Sequence, residues 1–259
     1  ELSCYLSALE THFDIILLTE IGARNIPTVV HLFDGYELHY VVPENNMKGG
    51  VGIYISNTIN KIVVRNDLAL TKSCQCCACQ CESLIIEFTF NCQDYTLCAL
   101  YRHPSGNRKH FVKDLEIVLD MLDTSRITIL SGDINIDLIR FEQDETIQYV
   151  SMLFSRGFLP YITLPTRITP YSATCIDHIF MKSPRVQPTD MLSGILYCDI
   201  SDHLPCFISI KVGTKKSTNQ RPTVRLFGES QCNAFKIAMT NFPWDSLYDP
   251  ADDWHVNFV

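Results

Sequence analysis

Short apolar runs separated by polar or glycine-containing turns are the main pattern along this 259-residue sequence. Runs rich in β-branched residues and without a helical period predict strands, whereas apolar residues three and four positions apart predict helices. Many short strands and few helices favour a mixed α/β fold over a helical bundle. We predict strands over 13–19, 48–55, 61–65, 83–90, 95–101, 127–130, 175–180 and 205–212, and helices over 2–12, 111–122, 142–154 and 230–242.

The composition changes after residue 212, where a polar segment without an apolar period begins. We therefore predict a main domain over 1–212, a polar linker over 213–222 and a partial tail over 223–259. The tail is acidic, contains tryptophan and has no core of its own. Because the chain opens without Met, we expect it to be part of a longer protein.

Net charge and hydropathy bear on whether the protein binds nucleic acid or a membrane. The net charge of −8 argues against a protein that binds nucleic acid through a broad basic field, although an enzyme that binds phosphate through a metal escapes this objection. No apolar stretch approaches the roughly 20 residues needed to cross a bilayer, and no leader opens the chain, so we expect a soluble, intracellular protein without a membrane partner.

Twelve cysteines are present, and most stand singly in apolar runs, where a reduced thiol behaves as a small hydrophobic side chain. We expect them to be reduced. Five of them fall between Cys74 and Cys81, but the cluster lacks a second half at zinc-site spacing, which favours a surface loop over a metal site.

Polar side chains stand at the ends of the predicted strands. Asp133 and Asn135 follow the run 127–130, and Gly132 is expected to let the backbone turn sharply so that both side chains leave on one side. A carboxylate attracts a cation or proton and an amide donates to an oxyanion, so the pair suits a site that holds a charged oxygen. Asp and Asn are also common turn residues, so this stretch alone leaves its role open.

Other strand ends carry similar groups. Glu20 follows the strand 13–19, Tyr101 ends the strand 95–101, and Asp202 with His203 precedes the last strand. Asp177 lies among apolar neighbours, where a carboxylate needs a partner.

The order of these residues along the chain resembles that of the endonuclease/exonuclease/phosphatase superfamily. The sequences of the motifs around them are similar to those of the endonuclease domain of non-LTR (LINE-type) retrotransposons. The resemblance covers 1–212 and implies, as does the run of short strands, a four-layer α/β (α+β) sandwich of two mostly antiparallel sheets face to face with flanking helices. The tail resembles, more loosely, the segment that leads to a reverse transcriptase. Six blocks carry the resemblance: Asp14-Ile-Ile-Leu-Leu-Thr-Glu20, Gly49-Gly-Val-Gly-Ile-Tyr-Ile55, Tyr101-Arg-His-Pro104, Ser131-Gly-Asp-Ile-Asn135, Cys175-Ile-Asp-His-Ile179 and Ser201-Asp-His203.

The resemblance implies a Mg²⁺-dependent phosphodiesterase that nicks duplex DNA, with Mn²⁺ as a substitute ion. Glu20 and Asp202 would bind the metal, because Mg²⁺ prefers carboxylate oxygen. His203 would bind the phosphate or act as base, and Asp177 would fix its tautomer. The remaining catalytic residues are Asp133, which would position or deprotonate water, and Asn135 and Tyr101, which would donate to phosphate oxygens.

The sequence departs from the superfamily at two places. The first strand of the family, with an early metal-site Asn, would precede Glu1. Pro104 stands where repair enzymes carry an Asn, so the phosphate contact is expected from Ser105 or is lost. Arg102 and Thr174 are further candidates for DNA contact.

Alternative functions remain open. A truncated, catalytically inactive retroelement fragment would still fold and bind DNA, and a phosphatase or RNA exonuclease would share the fold. The retroelement interpretation implies a reverse transcriptase domain in the same chain and action in the nucleus.

Overall fold

The computed structural model describes residues 1–42, 49–70, 80–184, 190–211 and 229–241, and the chain separates into two compact units, Glu1–Thr214 and Lys215–Val259. The predicted linker 213–222 and the cysteines before Cys81 in the cluster lie outside the described residues. The helices are α1 Leu2–Ala8, α2 Ile26–Val29, α3 Arg108–Asp120, α4 Asp144–Ser155 and α5 Glu229–Asn241; the strands are β1 Ile15–Thr19, β2 Tyr36–Val41, β3 Val51–Ser56, β4 Asn60–Val64, β5 Cys81–Phe90, β6 Gln93–Arg102, β7 Ile127–Asp133, β8 Leu159–Pro160, β9 Arg167–Thr169, β10 Ser172–Thr174, β11 Asp177–Lys182, β12 Met191–Ile195 and β13 Cys206–Ile210.

A six-stranded sheet forms the centre of the first unit, in the order β4-β5-β6-β7-β11-β8. Its pairs are antiparallel except β6 with β7, which run parallel. A parallel pair needs a crossover between its strands, and α3 lies in that connection. Asn107 begins α3 by accepting a hydrogen bond from the backbone N–H of His110 at 3.1 Å.

A second sheet, β1-β3-β2, packs on one face of the six-stranded sheet. Alternate residues of β3 point into the shared core, where Val51, Ile53 and Ile55 meet apolar side chains of β5 and β6. Tyr54 points the other way, and its hydroxyl donates to the carbonyl of Val29 on α2 at 2.6 Å. This sheet therefore lies between the six-stranded sheet and a helix.

Helices α3 and α4 cover the opposite face of the six-stranded sheet. Phe111, Leu115, Tyr149 and Leu153 pack in one apolar cluster with side chains of β6, β7 and β11. Arg156, just after α4, donates to Glu116 and Asp120 of α3, which ties the two helices together at the surface.

The predicted layered α/β fold is confirmed. The strands β4, β5 and β6 form an antiparallel meander. The apolar pattern did not predict the strands β2, β8 and β12 or the hairpin β9–β10, which lies in a region rich in proline. Gly132 does not end the strand as expected: β7 continues through it to Asp133. Its φ of +142° and a Cβ position only 1.8 Å from the carbonyl oxygen of Leu100 show that close approach of β6 and β7 requires glycine here.

Within the described residues, the following cysteines are free thiols: Cys4, Cys92, Cys98, Cys175, Cys198 and Cys206. In the second unit the structure describes a single helix, α5.

Candidate active site

Three of the predicted catalytic residues stand side by side across the six-stranded sheet. Tyr101 of β6 is paired with Asp133 of β7, and Asp133 is paired with Asp177 of β11. Paired residues on adjacent strands direct their side chains to the same face of a sheet. The strand register therefore collects a phenol and two carboxylates that are far apart in the sequence.

His203 joins this row through Asp177. Its Nδ1 lies 2.9 Å from Oδ2 and 3.1 Å from Oδ1 of Asp177, which assigns the Nδ1 proton to that hydrogen bond and leaves Nε2 as the uncommitted ring nitrogen. This hydrogen bond is also the main reason why the pKa of His203 is raised above its usual value. The predicted Asp177–His203 contact is therefore present.

Thr166 fixes the acid of this pair. Its hydroxyl donates to Oδ2 of Asp177 at 2.7 Å and accepts the backbone N–H groups of Ile176 and Asp177 at 3.1 and 3.0 Å. Its carbonyl accepts the N–H of Leu204 at 2.7 Å. One buried threonine thus holds both the carboxylate and the chain segment that carries His203.

Asp133 is the buried acid of the site, with 3% of its surface exposed. Burial, followed by the nearby charges of Asp177 and Glu20, raises its pKa to about 7, while His203 and the N–H of Asn135 act in the opposite direction. A carboxyl group with a pKa near neutrality can accept a proton from water at physiological pH more readily than an ordinary aspartate.

Asn135 lies just beyond β7 in a left-handed backbone conformation, with a φ of +54°. Its backbone N–H donates to Oδ1 of Asp133 at 3.2 Å, and its side-chain Nδ2 donates to the carbonyl of Arg102 at 2.9 Å. One amide hydrogen is thereby committed to the protein, which leaves the second for another acceptor.

Tyr101 connects this row to Glu20. The Tyr101 hydroxyl donates to Oε1 of Glu20 at 2.7 Å. Burial, and then this hydrogen bond, raise the pKa of the phenol, so it stays protonated and remains a donor. Glu20 itself has a φ of +55° directly after β1 and is exposed.

Asp202 is paired with an arginine. Nε and Nη2 of Arg167 both lie 2.7 Å from its Oδ2, and this pairing lowers the pKa of Asp202. The acid and base side chains whose ligand atoms lie within 4.8 Å of one another are Asp133, Asp177 and His203. Among the described residues, Glu20 and Asp202 belong to no such three-ligand group, so their shared ion stays a prediction.

The candidates for DNA contact occupy different environments. Arg102 is 0% exposed and donates to backbone carbonyls, so the expectation that it contacts DNA is wrong: its guanidinium does not reach the surface. Ser105 is exposed, with its hydroxyl bonded to Gln80 at 2.8 Å. Thr174 ends β10, paired with Arg167.

Three residues of this region were not predicted from the sequence: Glu82, Thr166 and Arg167. Glu82 is paired with Tyr101 across β5 and β6, and burial raises its pKa. Glu82 lies just before the predicted strand 83–90, and β5 carries a second glutamate, Glu87, so the sequence pattern did not single it out. Thr166 and Arg167 lie in the irregular proline-containing stretch, where the sequence carries no period to place them.

The chain belongs to the endonuclease/exonuclease/phosphatase family, because the model of that family matches residues 3–203. A comparison with curated proteins found no match. The match includes each predicted catalytic and metal-binding residue, and the layered fold described above is the fold of the structures compared below.

Solved structures with this fold include nucleases. The endonuclease domain of TRAS1, a telomere-specific non-LTR retrotransposon, is 14% identical with a TM-score of 0.60, and the alignment covers 82% of this chain and 92% of that one. TDP2 of D. rerio in complex with a single-strand DNA product is 17% identical, with a TM-score of 0.56 and coverage of 80% and 90%. An AP endonuclease from Archaeoglobus fulgidus is 13% identical, with a TM-score of 0.56 and coverage of 81% and 93%. At these identities the likeness shows the fold alone.

None of the helices in the described part of the chain has the length and apolar character needed to cross a membrane.

Proposed function

We propose that this protein is a metal-dependent phosphodiesterase that nicks duplex DNA as the endonuclease of a non-LTR retrotransposon. The observation that supports it most is the row Tyr101–Asp133–Asp177 across three adjacent strands, with His203 hydrogen-bonded to its last member. This row provides hydrogen-bond donors for a phosphate, a buried base and an oriented imidazole on a rigid sheet, which phosphodiester hydrolysis needs.

The acidic groups of the site fit a divalent cation. Asp133, Asp177 and Glu20 lie close enough that both other acids raise the pKa of Asp133, and a bound cation would relieve this repulsion. Carboxylate oxygens suit Mg²⁺, with Mn²⁺ as a substitute. Glu20 and Asp202 would hold the ion, and Asp202 is also paired with Arg167. When bound, the ion would neutralise the charge that develops on the phosphate oxygens.

The residues of the chain provide the proton transfer and the phosphate contacts. Asp133 takes a proton from the attacking water. Burial is the largest cause of its raised pKa, and burial keeps Asp133 a stronger base than a solvated aspartate when the ion offsets the neighbouring acids. Asn135 offers its second amide hydrogen to a phosphate oxygen. The single hydroxyl proton of Tyr101 is donated to Glu20, so Tyr101 would donate to phosphate once Glu20 turns to the ion. His203 presents Nε2 to the phosphate, because Asp177 holds the other nitrogen.

The surface beside the site offers contacts for DNA. The hairpin β9–β10 begins next to His203, through the bridge between Arg167 and His203, and Tyr171 at its turn is 96% exposed. An exposed aromatic ring next to a phosphate site can pack into a groove of the duplex. Thr174 lies at the base of this hairpin, and Ser105 lies on the rim after β6. In the retroelement interpretation a reverse transcriptase domain continues the chain, and the enzyme acts in the nucleus.

The test is conversion of supercoiled plasmid to open circle, in Mg²⁺ and in EDTA, by the purified chain with the family's first strand restored before Glu1. We expect nicking in Mg²⁺ alone. Asp177→Asn and His203→Ala should each lose it to a similar extent, and the double variant should be barely slower than either, because the two side chains act as one unit.

The matched control is His31→Ala, an exposed histidine outside the site, which should nick at the rate of the unaltered protein. Equal conversion in EDTA and Mg²⁺ would exclude the metal role. Losses that multiply in the double variant would show that Asp177 and His203 act independently.

A further inference from the structure

Arg102, the last residue of β6, has an arrangement that the proposed chemistry does not yet use. Its side chain is fully buried, and four of its five N–H donors reach backbone carbonyls: Nε donates to Ile134 at 2.7 Å, Nη1 to His103 at 3.0 Å and to Gly106 at 2.8 Å, and Nη2 to Asn135 at 2.8 Å. Its guanidinium carbon lies 6.0 Å from the centre of the Phe111 ring. Within the described residues it forms no ion pair with a carboxylate.

A buried charge without a carboxylate partner is unusual, because burial disfavours the charged form unless hydrogen bonds replace water. Burial does lower the pKa of Arg102. Apolar side chains could fill this position at less cost if packing were the only requirement. The carbonyls that satisfy the guanidinium instead come from two loops, one after β6 and one after β7, so the side chain joins the two loops that flank the site.

The link extends to Asn135 in both directions. Arg102 donates to the carbonyl of Asn135, and Nδ2 of Asn135 donates to the carbonyl of Arg102. Asn135 has a φ of +54°, a conformation that asparagine adopts only as a minority state when it is not held. The two reciprocal hydrogen bonds therefore fix both the backbone and the amide of Asn135.

We propose that Arg102 is a positioning residue that sets the Asn135 amide for the substrate phosphate without touching the substrate. This inference rests on the proposed function. Lysine cannot replace it, because an ammonium group is a point charge with three donors and cannot span carbonyls of two loops as a planar guanidinium does.

The first test compares Arg102→Lys with Arg65→Lys in steady-state nicking and in thermal unfolding. Arg65 pairs with Glu87, whose partner across the sheet is Thr96, six residues before Arg102 on β6. We expect Arg102→Lys to lower kcat by about 10²-fold with little change in KM, because a misplaced donor weakens the transition state rather than substrate binding. Arg65→Lys should leave both constants unchanged.

The second test asks whether Arg102 acts through Asn135. The double variant Arg102→Lys/Asn135→Ala should be no slower than Asn135→Ala alone. Losses that multiply would overturn the proposal, and so would a raised KM with unchanged kcat, which would instead indicate direct contact with the substrate.

The third test does not depend on activity. In NMR spectra the backbone and side-chain amide signals of Asn135 should both shift in Arg102→Lys, because the Asn135 carbonyl loses its guanidinium donor, while the imidazole signals of His203 stay in place. If the unaltered chain nicks no DNA, the proposed function fails but this readout still decides the role of Arg102. Unchanged Asn135 signals would overturn the proposal. Loss of folding in both Arg102→Lys and Arg102→Gln would assign Arg102 to stability alone and overturn it as well.

Discussion

Asp133 shows how one buried residue can link stability to catalysis. A pKa raised from 3.8 to about 7 means that the folded protein binds this proton more tightly than the unfolded chain does. The contribution of Asp133 to stability is therefore complete below about pH 4 and is lost as the pH rises to about 7. The burial that disfavours the charged form of Asp133 is also what makes its carboxylate a better base.

The first prediction concerns the fall in stability as the pH rises. In EDTA, the difference in unfolding free energy between the protein and Asp133→Asn should fall by on the order of 3 kcal/mol between about pH 4 and pH 7 and then level off, because only the unaltered protein loses the proton. Urea unfolding at a series of pH values measures it. Asp34→Asn, at an exposed position, is the control and should follow the unaltered protein at every pH. Parallel curves for the protein and Asp133→Asn would show that Asp133 titrates normally.

The types of the site residues could be predicted from the sequence, but their partners could not. Asp133, Asp177 and His203 were identifiable because they stand beside apolar runs, where burial of a charged group is unfavourable unless the group is paired. The environment of Arg102 was not identifiable, since its partners are backbone carbonyls, which every residue carries and which no side-chain pattern marks. The same holds for Thr166, which binds backbone N–H groups.

At the scale of elements, the register of β6, β7 and β11 determines which side chains meet. A slip of one residue on β7 would turn Asp133 to the opposite face of the sheet. Gly132 stabilises this register, because any side chain there would meet the carbonyl of Leu100.

The second prediction tests this close approach. Gly132→Ala should destabilise the protein by roughly 3–5 kcal/mol, since its Cβ would lie 1.8 Å from a backbone oxygen and only a shift of the strands could relieve the overlap. Gly157→Ala is the matched control: it also has a positive φ, +80°, but nothing within 4 Å, so it should cost only about 1 kcal/mol. Chemical denaturation of both variants gives the comparison. Similar losses in both would mean that backbone conformation alone explains the glycine.

The elements that could be predicted are those with a clear apolar period. Strands such as β3 and β6 are buried along nearly their whole length and appear as continuous apolar runs. The missed β2 and β12 are only partly buried, with polar or small residues among the apolar ones, and β9 and β10 have three residues each. Strands of that kind are stabilised by pairing with neighbours that are distant in the sequence, which local patterns do not record.

At the scale of the whole molecule, charge opposes the proposed substrate. The sequence has 29 acidic against 21 basic residues, so its mean field repels DNA, which carries one negative charge per 1.7 Å of duplex. Binding must then depend on the few contacts at the site and on neutralisation of the acidic groups around Asp133. A divalent cation is therefore expected to control binding as well as chemistry.

The third prediction concerns this dependence. Asp133→Asn, which lacks the proposed base, should bind a duplex oligonucleotide at least about 10-fold more tightly in Mg²⁺ than in EDTA with monovalent salt of equal ionic strength, because the ion offsets the remaining acids near the phosphate. Fluorescence anisotropy at a series of salt concentrations gives both affinity and salt slope. The slope should stay well below the value of about 10 seen for proteins with broad basic surfaces, as few phosphates are contacted. Equal affinity in Mg²⁺ and EDTA, or a steep slope in both, would show that DNA binds through a basic surface away from this site.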